Sequence, residues 1–347
     1  MSDNKWFRKE APLQGLMGLW GGVSSALSGA LPFTGMQATG GQTNTYTVNG
    51  ENFKAHKFTS DGTFTVQALG TGEQGSQIDF LLVGGGGGGG DGNANGGGAG
   101  AGGLLKGVGV TVQTSPGQYY ATIANGGEGR GSDQKGYPGN DSNLTIPGMK
   151  QFTALGGGGG GGYSGAGEAG GSGGGASGPG NGPTGTAQNV GEGVQPNEPS
   201  YPTITGYGND GGTRGGAPQY GGGGGGAGKI GGNSPQNPAN SPEGKGGDGL
   251  ALDYWDGSPN TYWAGGGGGG QHPNQRSNPG TQTSPQGGGL GGGGCGGGNR
   301  SPTGGVPDAR DGIPGQANTG GGGGGAADGY GGNGGKGVFV VRYRVDD

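Results

Sequence analysis

One stretch of the chain has residue types suited to recognition: Asp253-Tyr254-Trp255-Asp256, followed by Tyr262 and Trp263. Flat indole and phenol rings stack on a sugar face while neighbouring carboxylates accept its hydroxyl protons. Tyr201 and Tyr207 lie in the same kind of surroundings, among Asn, Ser, Thr, Pro and Gly, and complete the candidate receptor-binding set. The other reading of the same rings is that they pack against a glycine-rich interior and shield it. Asp253 and Asp256 have the residue types of a glycosidase pair, yet in a polar loop such acids serve solvation or sugar binding, so no catalytic residue and no enzyme activity is assigned. His56 falls within a strand pattern and His272 beside Pro273, neither with Cys or an acid at ligand spacing, so no metal or cofactor is expected. Cys295 stands among glycines with no basic residue nearer than Arg300, the setting of an incidental thiol. Matches to G-x-G-x-x-G are frequent because 110 of the 347 residues are glycine; they lack the strand, helix and distal acid of a dinucleotide site.

Loops of this kind need a scaffold, and the composition limits what it is made of. Leu, Ile, Val and Phe number 43, too few for a side-chain core through the whole chain. Residues 156–335 hold 9 of these 43 but 72 of the glycines. Apolar alternation marks strands around Phe64–Ala68, Ile78–Leu82, Val108–Val112 and Tyr119–Ile123, with shorter candidates at Leu144–Ile146 and Phe152–Leu155. Val338–Val345 is the strongest strand pattern and would be an aggregation hazard if unpaired, so it is expected to close the sheet begun by 53–83. The fold expected is mainly β with polyglycine II: a small β-sandwich or jelly-roll-like unit with the first glycine runs from 41–155 plus 336–347, and a polyglycine helix bundle with variable loops over 156–335.

The glycine runs leave and re-enter the strands. Leu81-Leu82-Val83 enters Gly84–Gly90, Ala154-Leu155 enters Gly156–Gly162, and Gly334-Gly335-Lys336-Gly337 leads into the last strand. A flexible linker is one reading, since ordering each residue costs about 1–2 kcal/mol. The other is a set of extended three-residue-per-turn helices, whose N–H and C=O groups point outward and bond laterally where no side chain intervenes. The charge balance of 18 basic and 23 acidic residues leaves −5, all of it within 156–335. That excludes the basic footprint of a nucleic-acid binder and suits a hydroxyl-rich partner such as a saccharide, or a basic protein surface.

Residues 1–40 differ from the rest. No charge occurs between Glu10 and Glu51, and Leu13, Leu16, Met17, Trp20, Val23, Leu27 and Leu31 recur near helical spacing between Pro12 and Pro32. The pattern predicts a short helix over about 13–30 in an N-terminal docking arm, with Trp6, Phe7, Leu13, Leu16, Trp20 and Leu27 as anchors on a larger assembly. A signal peptide or a membrane span are the alternatives, and the glycines and serines within 15–29 weaken the second.

The order His56-Lys57-Phe58-Thr59-Ser60-Asp61-Gly62-Thr63-Phe64-Thr65-Val66, Ile78-Asp79-Phe80-Leu81-Leu82-Val83 into polyglycine, Ser115-Pro116-Gly117-Gln118-Tyr119, and Gly337-Val338-Phe339-Val340-Val341-Arg342-Tyr343 resembles the glycine-rich domain of bacteriophage tail-fibre and other virion proteins. The interior is similar to the polyglycine adhesins of T-even-type phages. The resemblance implies a virion-surface protein, a tail fibre or adhesin displaying receptor-binding loops and held to other virion proteins by its N-terminal arm. A capsid-attached decoration fibre and a cellular glycine-rich structural or ice-binding protein are the alternatives. Fibres of this kind are commonly trimers, which nothing in the sequence itself fixes.

Overall fold

A computed structural model describes residues 33–92, 95–163, 165–177, 190–214, 220–234, 244–271, 287–298 and 310–345. The predicted arm helix and its six anchors lie outside these residues. Among the described residues thirteen strands occur, β1 (Gln37–Thr39), β2 (Gln42–Val48), β3 (Glu51–Phe58), β4 (Gly62–Ala68), β5 (Gln77–Val83), β6 (Leu104–Thr111), β7 (Gln118–Thr122), β8 (Ser142–Thr145), β9 (Gln151–Ala154), β10 (Ile204–Tyr207), β11 (Leu250–Ala251), β12 (Tyr262–Trp263) and β13 (Val338–Arg344). They form a five-stranded sheet in the order β1-β4-β7-β8-β9, a six-stranded sheet in the order β10-β6-β5-β13-β3-β2, and the β11-β12 hairpin. All named pairs are antiparallel.

The predicted final strand does more than close an edge. β13 lies inside the six-stranded sheet, pairing Phe339 with both Phe58 of β3 and Leu82 of β5. A central strand is buried on both faces, which is why Val338–Val341 has no polar alternation. Phe339, Val341 and Tyr343 join Phe80 and Leu82 of β5 and Phe64, Tyr119, Leu144 and Phe152 of the five-stranded sheet in one apolar cluster. Val338 and Val340 face the other way, with Leu81, Val83 and Leu104, into a second cluster. A period of two along β5 and β13 thus sends alternate residues to two cores.

The glycine runs are assigned neither helix nor strand, and their backbone bonds follow a period of three. Along 84–91, the N–H groups of Gly84, Gly87 and Gly90 donate to Gly103, Gly100 and Gly97; those of Gly85, Gly88 and Asp91 donate to Asn140, Tyr137 and Gln134; those of Gly86 and Gly89 donate to Gly335 and Gly332. The carbonyls of the same run accept from three further segments, for example from Gly323 to Gly87, Gly157 to Gly85 and Gly127 to Gly86. One run therefore has six lateral neighbours and satisfies its polar groups without a side chain. A Cβ on Gly89 would fall on the carbonyl oxygen of Gly324, and one on Gly88 on that of Glu128, so the spacing between runs admits only hydrogen at these positions.

The glycine-rich segments at 84–90, 96–103 and 125–140, which adjoin the strands in sequence, share one lattice with the later runs, and β10 adds a strand beside β6 through Ile204↔Gly107 to Tyr207↔Leu104. Short pairings of this kind carry no local apolar pattern, because β10 reads Ile-Thr-Gly-Tyr and takes its place from a partner far along the chain.

Candidate functional site

Segment 250–264 returns from the lattice to the six-stranded sheet. β11 and β12 pair Leu250 with Trp263 and Ala251 with Tyr262. Between them, the Asp256 carboxylate accepts the Ser258 N–H at 2.9 Å and the Thr261 hydroxyl at 2.9–3.0 Å, closing a turn through Gly257 at φ +72°. A Cβ at Gly257 would sit 2.8 Å from the Tyr46 ring, so this turn is seated on β2.

Tyr254 is 4 % exposed and Trp263 5 %, both against Leu81, Val83, Leu104, Val338 and Val340. The Trp263 indole N–H donates to the Leu252 carbonyl at 3.1 Å. Arg342 lies at the centre of the contact. Its guanidinium pairs with Asp79 and Asp253 at 3.1 Å each, donates to the Tyr46 hydroxyl at 3.4 Å, and stacks 4.2 Å from the Tyr254 ring centre. Burial opposes the charge of Arg342, but the Tyr46 hydroxyl and the two carboxylates outweigh it and hold its pKa above the ordinary guanidinium value. Burial first, then the Asp79 charge, pushes the Tyr254 phenol up. Lys57 sits 4.0 Å over the Trp255 ring, and Asn44 donates to the Trp255 carbonyl at 3.0 Å.

The eight sequence-selected residues are thus divided by position. Asp253, Tyr254 and Trp263 join the lattice to the sheet, Trp255 is held half-buried under Lys57, and Asp256 shapes the turn. Tyr262 is half-buried. Tyr201 packs edge-on against Phe152 at 5.1 Å on the other apolar cluster, and Tyr207 in β10 lies against the second. The structure does not gather the eight on one open surface.

The ends of the molecule have different chemistry. At one pole, Phe33 lies under Arg344 at 4.6 Å and Thr34 and Thr71 exchange two bonds, so the chain enters beside the last residues of β13. At the opposite pole the runs end. Hydrogen bonds connect Gly90 to Ala326, Ala326 to Gly96, Gly96 to Gly270 and Gly270 to Gly221, and Gln271 to Gly297, at one level of the lattice. Tyr163 and Tyr330 emerge there, 44 % and 67 % exposed, with Tyr137, 50 % exposed, one turn nearer the sheets. Tyr330 covers Gly131, the Tyr163 N–H donates to the Asp133 carbonyl at 3.0 Å, and Arg130 lies 4.7 Å from the Tyr137 ring. These tyrosines were not picked out from the sequence; Tyr163 follows the last glycine of the run 156–162 and Tyr330 follows Gly329 shortly after the run 320–325, whereas Tyr137 follows the single Gly136.

His56 is fully buried on β3 and bonds the Gly40 carbonyl through Nδ1 and the Tyr343 hydroxyl through Nε2. Among the described residues, no three His, Cys, Asp or Glu side chains come together as a metal site. His272 lies outside them, and Cys295 is half-buried with its carbonyl accepting the Ile313 N–H at 2.8 Å.

A family model described as a glycine-rich domain matches residues 58–344. No curated protein matches the chain.

Proposed function

We propose that this chain, which belongs to the glycine-rich domain family, is a bacteriophage virion protein: a tail fibre or adhesin that carries host-recognition groups on a polyglycine II bundle. In this reading the two sheets are a β-sandwich and the period-three runs are left-handed extended helices packed side by side, each seven-residue run about 20 Å long at about 3.1 Å per residue. The observation that carries the function is polarity. The chain enters at the pole of Phe33 and Arg344, while the runs end and the exposed tyrosines emerge at the other. Such a rod suits an anchor at one end and a contact surface at the other. The anchor is the arm with Trp6, Phe7, Leu13, Leu16, Trp20 and Leu27, bound to other virion proteins.

Because Tyr254 and Trp263 are closed off by the sheet, the host-contact surface at the far pole is assigned to Tyr163 and Tyr330, with Tyr137 beside them. Half-exposed phenols on a rigid frame offer stacking area at little entropic cost. The partner is a host-surface saccharide or an outer-membrane protein, and fibre copies assemble as trimers. Immunogold labelling of intact particles tests the placement: label on the tail agrees with it, whereas label over the capsid shell assigns the chain to a decoration fibre. Adsorption tests the surface. Replacing Tyr163 and Tyr330 by Ala reduces host adsorption at least tenfold with particle yield unchanged; equal adsorption removes these residues from the contact surface.

A further inference from the structure

The outer face of the five-stranded sheet is a regular surface with no part in the reading above. We infer that it is a binding site for a neutral polysaccharide, centred on Tyr120. The strands β1, β4, β7, β8 and β9 contain no Asp, Glu, Lys, Arg or His, in a chain with 18 basic and 23 acidic residues. The six-stranded sheet has charges on β3, β5, β6 and β13. Solvated sheet faces ordinarily bear charges for solubility, and an outward face without any is unusual.

The strand register places Thr63, Tyr120, Thr145 and Gln151 side by side across four strands. Tyr120 is 47 % exposed, opposite in orientation to the fully buried Tyr119. In the next row Asn143 is engaged, accepting the Thr153 hydroxyl at 2.8 Å and donating to Thr122 at 3.4 Å. The row through Tyr120 makes no such bonds among the described residues, so its hydroxyls and amides are available to a ligand. A half-exposed phenol flanked on both neighbouring strands by hydroxyls supplies a stacking plane with donors and acceptors at its rim.

The chemistry of the face selects its occupant. It has no charge to pair with an ionic ligand and no aliphatic cluster to form the dry centre of a protein interface. Five strands about 4.8 Å apart and about four residues long give about 300 Å² of flat area, well under the roughly 800 Å² per partner of a stable complex. Tyr120 projecting among the threonines also breaks the flat array that a crystalline surface would need. A neutral hydroxylated chain, bound by stacking and by several weak hydrogen bonds, fits the size and the polarity.

Affinity electrophoresis of the purified full chain through gels containing dextran, mannan or galactan tests the proposal. At least one of these probes retards the chain, equally in 0.05 M and 0.5 M salt at about these values, because no ion pair is involved. Tyr120→Ala weakens the retardation at least tenfold, and so does Thr145→Lys, which places a solvated charge in the same row; thermal unfolding confirms that each variant is folded. The proposal is overturned if none of the three probes retards the chain, if both variants bind as the parent does, or if Thr145→Lys instead dissolves a dimer seen by sedimentation. The assay uses protein without particles, so its failure leaves the virion reading standing, and the failure of that reading leaves this one.

Discussion

At Gly89 the neighbouring chain is so near that a methyl group has nowhere to go, whereas at Gly72 a Cβ meets nothing within 4 Å. The two positions separate the two uses of glycine in this molecule. Gly72 is needed for its φ of +69°, and Gly72→Ala is expected to cost about 1 kcal/mol, the ordinary left-handed penalty. Gly89→Ala must push two backbones apart and break bonds on several sides, and is expected to cost about 3 kcal/mol or more. Thermal or urea unfolding of the two variants measures the difference; equal losses would mean that the lattice is looser than described. His56 supplies a second residue-scale expectation. Burial lowers its pKa below the usual histidine value, and its bonds to the Gly40 carbonyl and the Tyr343 hydroxyl suit a neutral ring protonated on Nδ1. A histidine with a depressed folded-state pKa stabilises fully above its unfolded value of about 6.5, and that stability declines as pH falls from there toward the folded value. Stability measured between pH 8 and pH 5 is expected to fall in the parent more than in His56→Gln.

Element by element, legibility depended on how local the signal was. β4 and β7 were readable because alternating apolar residues face one core, and β5 and β13 because their apolar runs must be covered on both sides. β10, β11 and β12 were not, since two to four residues in a polar context have no periodicity and owe their pairing to distant partners. The aromatic residues of 253–263 were ambiguous for a related reason: a ring in a polar loop reads the same whether it faces solvent or a sheet. Only the positions of Leu81, Val83, Val338 and Val340, unpaired with anything in the first apolar cluster, demanded a cover. The central place of β13 has a testable result. A chain ending at residue 335 loses the partner of both β3 and β5 and exposes two long unpaired edges, that of β5 largely apolar, so it is expected to aggregate on refolding. A synthetic 336–347 peptide added during refolding restores a soluble, protease-resistant product; a soluble truncated chain with native-like circular dichroism would show that β13 is dispensable.

For the whole molecule, cohesion is divided between two kinds of interior. One is a side-chain core upon the sheets, and the other is a set of segments held mainly by backbone bonds, with Arg342 and the 250–264 segment joining them. The second kind has little apolar area to bury, so its stability rests on completing many modest bonds at once, each net about 1 kcal/mol. Breaking one run leaves the polar groups of six neighbours unsatisfied in a water-poor interior, which makes opening cooperative. Amide exchange therefore distinguishes an ordered lattice from a tether. The amides of 84–90 and 96–103, which have no helix or strand, are expected to exchange only through global unfolding, as slowly as those of β5 and β13. The edge strand β2, with much of one side open to solvent, is expected to exchange faster. Mass-spectrometric hydrogen exchange resolves these segments as separate peptides. Complete deuteration of 84–90 at the earliest time point would reduce the runs to flexible connectors and remove the rod proposed above, on which the anchor-and-contact reading depends.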